Sequence, residues 1–170
     1  MTSRPGMMVG PKEHHVQNEM LQVGAKAPDF VLMDNRWQDK TLADYRGKVK
    51  IISCVPSLDT EVCSAQTRRF NEDAAGLGEK VMVLTVSADL PPTQRRWCAA
   101  EGIERVVTLS SSRGMRFADD YGVHDTDWGV CQRAVFVVDA DDVVRLAEYV
   151  PSIGQEVNFE AVLNTVRGLV

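Results

Sequence analysis

What the chain lacks narrows it first. No stretch approaches the ~18 consecutive apolar residues that a membrane-spanning helix needs. The opening residues, MTSRPGMMVGPKEHHVQNEM, hold no apolar run of signal-peptide length. A cytoplasmic setting and no membrane association are therefore expected. There is no C-x-x-C pair, and the three histidines (His14, His15 and His124) are not at ligand spacing, so no zinc site is expected and no cofactor is implied. Basic residues are not in excess: 19 Lys and Arg stand against 24 Asp and Glu, a net charge of −5. That balance argues against nonspecific binding to nucleic acid or anionic membranes. The pairs Arg68-Arg69 and Arg95-Arg96 read as solvated helix faces. There is no repeat and no low-complexity segment.

What is present suits one domain. The 170 residues, 44% of them hydrophobic, are enough to bury a core. Residues 1–24 are polar, rich in Met and His, and without clear periodicity. They read as a loosely attached N-terminal arm, with His14-His15 as surface polarity and metal binding as the alternative. The main domain is expected over residues 25–170. Its signals alternate. DFVLM (29–33) reads as a short strand, and KVKIISCV (48–55) as a stronger one, bounded by Gly47 and Pro56. A helix is expected from Thr60 to Leu77, with Val62, Ala65, Phe70, Ala74 and Leu77 on one face and Gly78 to stop it. Strand 80–88, helix 93–102, strand 105–110 and a short helix within 112–122 follow. Residues 133–150 read as a hairpin, and residues 158–170 as an amphipathic helix capped by Asn158. This order implies an α/β fold with a mixed central sheet and helices on both faces. A thioredoxin-like sandwich fits it, as do other small α/β folds.

Four cysteines occur: Cys54, Cys63, Cys98 and Cys131. In a reducing compartment they are expected to be free, catalytic or metal-binding, not structural disulfides. Cys63 has the most telling position. With Thr60 as N-cap it is the third helical residue, where free N–H groups and the positive end of the helix dipole converge. Such a place favours the thiolate, which is the nucleophilic form. Pro56 ends the preceding strand and stiffens the turn that aims the helix. The alternative is that Cys63 is simply a small buried hydrophobe.

Pro56, Thr60 and Cys63 form P-x-x-x-T-x-x-C, which resembles the active-site signature of peroxiredoxins. The longer string PSLDTEVCSAQTRRFNEDA is similar to that of the thiol peroxidases, atypical 2-Cys peroxiredoxins. The similarity continues through APDF (27–30), RRWCAAEGIERVVTLS (95–110) and RAVFVVDADDVV (133–144). The resemblance implies a peroxidase acting on hydrogen peroxide and alkyl hydroperoxides. It implies Cys63 as peroxidatic cysteine, Thr60 as its hydroxyl partner, Cys98 as resolving cysteine, Arg133 as active-site arginine and Pro56 as a substrate-positioning residue. It further implies a sulfenic acid on Cys63, an intrachain disulfide with Cys98, reduction by thioredoxin or a similar dithiol, and a homodimer.

Two features depart from the family pattern. Glu61 follows Thr60, where Pro or Gly is usual; its carboxylate complements the helix dipole but opposes a thiolate if it turns inward. Residues 1–24 lack the alternation of the family's N-terminal hairpin, so no hairpin is expected. Cys54 and Cys131 read as packing residues, with a role as alternative resolving thiols left open. Cys131, two before Arg133, would share its strand face if the strand reached that far. His124 would have to lie beside Cys63 for a Cys–His hydrolase. Two other functions stay open on the same fold: a thiol–disulfide oxidoreductase, which the missing C-x-x-C disfavours, and a redox-signalling module in which a partner reads Cys63 oxidation.

Overall fold

The computed structural model describes residues 1–170. In chain order its elements are β1 (Ser3–Val9), β2 (Lys12–Gln17), β3 (Val31–Met33), β4 (Asp39–Thr41), a 3-10 turn (Leu42–Tyr45), β5 (Val49–Cys54), α1 (Glu61–Ala74) and β6 (Val81–Ser87). Then come α2 (Pro91–Glu101), β7 (Val106–Ser110), α3 (Arg116–Asp120), β8 (His124–Asp125), β9 (Val130–Cys131), β10 (Ala134–Val138), β11 (Val144–Tyr149) and α4 (Phe159–Arg167). Seven strands form one sheet in the order β11-β10-β5-β6-β7-β3-β4. The central strands β5, β6 and β7 run parallel, and β10 and β3 join them antiparallel.

The uninterrupted apolar run of β5 follows from its place in this sheet. A central parallel strand is covered on both faces, so every residue from Val49 to Cys54 is buried. Its alternation feeds two cores. Val49 and Ile51 meet Phe70, Val135, Val137, Val162 and Val166 on the face covered by α1 and α4. Ile52 and Cys54 meet Phe117, Tyr121 and Phe136 on the opposite face, which α3 covers. The expected thioredoxin-like α/β architecture, a mixed sheet with helices on both faces, is present.

The helix boundaries shift in ways the local chemistry explains. Helix α1 ends at Ala74, not Leu77. The next turn tightens into three-residue hydrogen bonds from Ala75, Gly76 and Leu77 N–H groups, and Gly78 then turns at φ +78°. Helix α2 starts earlier than expected, at Pro91, whose missing N–H costs nothing at a first helical position. It ends at Gly102, in the left-handed conformation at φ 65°. Asn158 caps α4 as expected, its Oδ1 accepting from the Ala161 N–H at 3.0 Å.

The N-terminal reading needs correction. Residues 1–24 are not a loosely attached arm: β1 and β2 pair antiparallel, with a register shift between Pro5 and Met7, and join β8 and β9 in a second sheet. The alternation was hidden because few of its buried residues are aliphatic. The inward positions are Met7, His14 and Val16, all fully or almost fully buried. Gly6 sits at the bulge, where a Cβ would collide with the Val16 side chain. His14 is therefore not surface polarity. Its Nδ1 lies 2.6 Å from Asp125 Oδ2, and its ring packs edge-on to Trp128. The hairpin also holds the segment after β11: Met8 N–H donates to Pro151 O at 2.8 Å, and Ile153 N–H donates to Met8 O at 3.0 Å.

Candidate active site

Three elements converge on Cys63. Strand β5 delivers the chain to Pro56, which is buried and ends the run. The turn 57–60 reverses it into α1. Thr60 occupies the N-cap position with extended backbone (φ −90°, ψ 148°), and its carbonyl accepts the Ser64 N–H at 2.9 Å. Its side chain does not cap, contrary to expectation. The Thr60 hydroxyl instead donates to Ser57 O at 3.1 Å. The N–H groups of Glu61, Val62 and Cys63 have no acceptor within the chain, as the first turn of a helix dictates. Glu61 is exposed, so its carboxylate faces water and not the sulfur.

Cys63 is completely buried. The Nη2 of Arg133, just before β10, donates to its Sγ at 3.2 Å. The same Nη2 donates to Ile153 O at 3.0 Å, and Nη1 to Gln66 Oε1 at 2.9 Å. A guanidinium this deeply buried, 1% exposed, needs such partners because an unpaired charge in the interior is very costly. Gln66 is held in turn by donating Nε2 to Ser53 Oγ at 2.7 Å. The hydroxyl of Thr67 donates to Cys63 O at 3.0 Å.

Cys63 and Arg133 are thus in contact, with Thr60 at the start of the same helix and Pro56 just past the end of β5. Gln66 was not among the residues expected, although the signal existed. The buried face of α1 is Cys63, Ser64, Gln66, Thr67 and Phe70, rotated from the expected face of Val62 and Ala65. A polar residue three after the cysteine on that face has to bond something buried.

Cys98 lies in α2, beside Trp97. Trp97 packs in one cluster with Val55, Leu58 and Cys63, and Cys98 borders that cluster. The Cys98 thiol itself is held elsewhere, with Sγ 3.5 Å from Thr108 Oγ1 on β7. Thr108 gives its hydroxyl proton to Asn35 Oδ1 at 2.8 Å, so the Cys98 thiol is the donor in its own contact. All four cysteines are free.

Cys54 and Cys131 belong to the other face of the sheet, in the core with Phe136 and Tyr121. The condition for Cys131 and Arg133 to share a strand face is not met. Strand β9 ends at Cys131 and β10 begins only at Ala134. Burial pushes the Cys131 thiol up to about 12, partly offset by its contact with Ser111, and pushes Cys54 well above the ordinary thiol range. Burial thus disfavours the thiolate at both, and both pack in that core. His124 lies in the small sheet with Nδ1 2.7 Å from Asp119 Oδ1, and it is not a partner of Cys63.

A shallow groove of about 340 Å³ opens over the start of α1, lined by Leu58, Thr60, Ser64, Arg68 and Trp97 among others. A cleft of similar size beside Phe30, Arg113 and Arg116 holds no thiol. No helix is long and apolar enough to cross a membrane.

The chain matches known proteins over most of its length. The AhpC/TSA family matches residues 23–147. A thiol peroxidase of Streptococcus pneumoniae is 48% identical over 151 residues, covering 89% of this chain and 92% of the relative. A thiol peroxidase of Bacillus subtilis is 49% identical over 150 residues, covering 88% and 89%. A crystal structure of a peroxiredoxin-like protein from Aquifex aeolicus superposes with TM-score 0.90 at 34% identity, covering 99% of each chain. The chain belongs to the AhpC/TSA family, among its peroxiredoxin-type, thiol-dependent peroxidases.

Proposed function

We propose that the chain reduces hydrogen peroxide and alkyl hydroperoxides at Cys63, with Cys98 as resolving thiol and thioredoxin or a similar dithiol as reductant. The observation that carries this reading is the Arg133 guanidinium, which donates to Cys63 Sγ at 3.2 Å within the first turn of α1. From that position the guanidinium can donate to the sulfur and to the charge that develops on oxygen as it reacts.

The Cys63 thiolate attacks the near oxygen of the peroxide. The O–O bond breaks, its electron pair leaves with the far oxygen, and that hydroxide or alkoxide takes a proton from solvent. Cys63 becomes a sulfenic acid. Arg133 and the unpaired N–H groups of α1 supply donors for the charge that develops on oxygen. Thr60 supplies the opposite polarity. Its proton is committed to Ser57 O, so its oxygen offers a lone pair to the peroxide O–H. Donors on one side and an acceptor on the other fix the peroxide in line. Pro56 holds the turn from which these groups project.

The Cys98 thiol then attacks the sulfenic sulfur, forming the Cys63–Cys98 disulfide and releasing water. A disulfide needs Cα atoms within about 7 Å. The Cys98 thiol is bonded to Thr108, and α2 places Trp97 inside the Cys63 cluster with Cys98 at its border. The turn before α1, the helix α2 or both must open before the sulfurs meet, as short peripheral segments do readily. A dithiol reduces the disulfide by exchange. A cytoplasmic setting, which keeps the thiols reduced, and a homodimer, implied by the family resemblance, complete the reading. Neither nucleic acid nor membrane has a part in it.

Peroxide consumption coupled to thioredoxin and its reductase tests the assignment. The wild type turns over, and Cys63→Ser, correctly folded by circular dichroism, does not. Substantial turnover in that variant would sink Cys63 as the nucleophile.

A further inference from the structure

The turn before Cys63 is bound directly, and the helix bearing Cys98 through Ser87, to one carboxylate that the chemistry above does not use. Asp89 lies between β6 and α2. Its Oδ1 accepts from Ser57 Oγ at 2.9 Å, and its Oδ2 from the Leu58 N–H at 2.8 Å and from Ser87 Oγ at 2.7 Å. Ser57 and Leu58 begin the turn that carries Thr60, and the carbonyl of Ser57 holds both the Thr60 N–H and its hydroxyl. On its other side Asp89 is fixed to the sheet, because Ser110 Oγ donates to Asp89 O at 2.6 Å. Helix α2 joins the same cluster: Gln94 Nε2 donates to Ser87 Oγ and to Leu109 O, both at 3.0 Å.

We infer that Asp89 is a positioning residue that sets the balance between the folded turn, which reacts with peroxide, and the open turn, which forms the disulfide. The inference rests on the roles proposed for Cys63 and Cys98. Hydrogen bonds to an ionised carboxylate are about twice as strong as neutral ones. Two of the three formed by Asp89 cross to the turn and break when it opens, and the third stays with the sheet. The carboxylate therefore stabilises the folded state alone. Weakening the tether tenfold, about 1.4 kcal/mol, raises the open fraction tenfold while the folded form stays the majority. The two chemical steps consequently respond differently. Disulfide formation accelerates, first oxidation hardly changes, and the sulfenic acid has less time to meet a second peroxide.

The test uses Asp89→Asn, which keeps the shape but turns one acceptor into a donor, and Ser57→Ala, which removes one bond from the other partner. Acid quench and mass spectrometry after rapid mixing with hydrogen peroxide give two rates, loss of the Cys63 thiol and appearance of the Cys63–Cys98 disulfide. In Asp89→Asn the second rate should rise roughly tenfold and the first stay within about threefold of wild type. The peroxide concentration that over-oxidises half of Cys63 during turnover should rise with the second rate. Ser57→Ala should move the same way by less, and it decides the matter if Asp89→Asn does not fold. A residue that merely supports the fold would slow both steps together, and that result, or an unchanged ratio, overturns the inference. If wild-type protein joins Cys63 to another thiol, the failure lies in the assignment of Cys98, and this inference falls with it.

Discussion

Replacing Arg133 by alanine tests the centre of the site most directly. The side chain makes three hydrogen bonds: to Cys63 Sγ at 3.2 Å, Gln66 Oε1 at 2.9 Å and Ile153 O at 3.0 Å. The first is a bond between two charged groups once the thiolate forms, and such bonds contribute about 1.5–3 kcal/mol. At about 1.4 kcal/mol per factor of ten, its loss slows the first oxidation roughly 10- to 150-fold. The other two bonds act on stability. Their acceptors are left without the guanidinium in the interior, at about 1–3 kcal/mol each. Arg133→Lys separates the two effects. It keeps the positive charge but offers a single ammonium in place of a planar fork, so it should fall between wild type and alanine in rate. The assay is stopped-flow tryptophan fluorescence on mixing reduced protein with hydrogen peroxide. Trp97 packs in the Cys63 cluster and reports the reaction. Circular dichroism confirms the fold of each variant at the working temperature. An alanine variant that is folded and oxidises within threefold of wild type would refute the role given to the guanidinium.

Two further outcomes are expected. Cys98→Ser should react once with peroxide and stall as a sulfenic acid, while the wild type should show a Cys63–Cys98 disulfide within one chain and faster hydrogen exchange across residues 59–66 and 92–100; a disulfide to Cys54 or Cys131, or one between chains, would show the resolving residue to be wrong. The raised Cys131 thiol should make stability fall at alkaline pH. The unfolded chain loses this proton near 9.0 and the folded chain at about 12. Stability is therefore full below the first value and declines as pH rises toward the second, by at most about 4 kcal/mol. Cys131→Ala should narrow the difference in Tm between about pH 8 and about pH 10.5, and an unchanged difference would count against burial as the cause.

The sequence disclosed most where one residue type had one physical job. The apolar runs at 48–55 and 80–88 could only be strands covered on both sides, and β5 and β6 are those strands. The motif Pro56, Thr60, Cys63 located the start of α1. Legibility failed where roles depended on partners distant in the chain. The apolar pattern of α1 runs through Val62 and Ala65, and although the spacing of Gln66 from Cys63 puts both on one face, its partner is an arginine 67 residues away. Asp89 carries no local sign of its role, since its carboxylate bonds to Ser57 and Leu58 across the site. The N-terminal hairpin escaped because His14, a polar residue, fills a core position that only its contact with Asp125 makes tolerable.

That hairpin extends the reach of the reactive centre to the first residues of the chain. Met8 grips Pro151 and Ile153 by main-chain hydrogen bonds, and Ile153 O is one of the three acceptors that orient Arg133. Arg4 and Gly6 bond to Gln132, the residue just before it. A clamp thus runs from the opening strand to the arginine that meets the sulfur, through groups outside the signature. Tolerance to sequence change at Met8 should be wide, because its main-chain groups make the grip, whereas tolerance to shortening should be narrow. An affinity tag cleaved a few residues too far, or a start codon placed at a later methionine such as Met20, would leave the whole signature intact and its arginine unsupported.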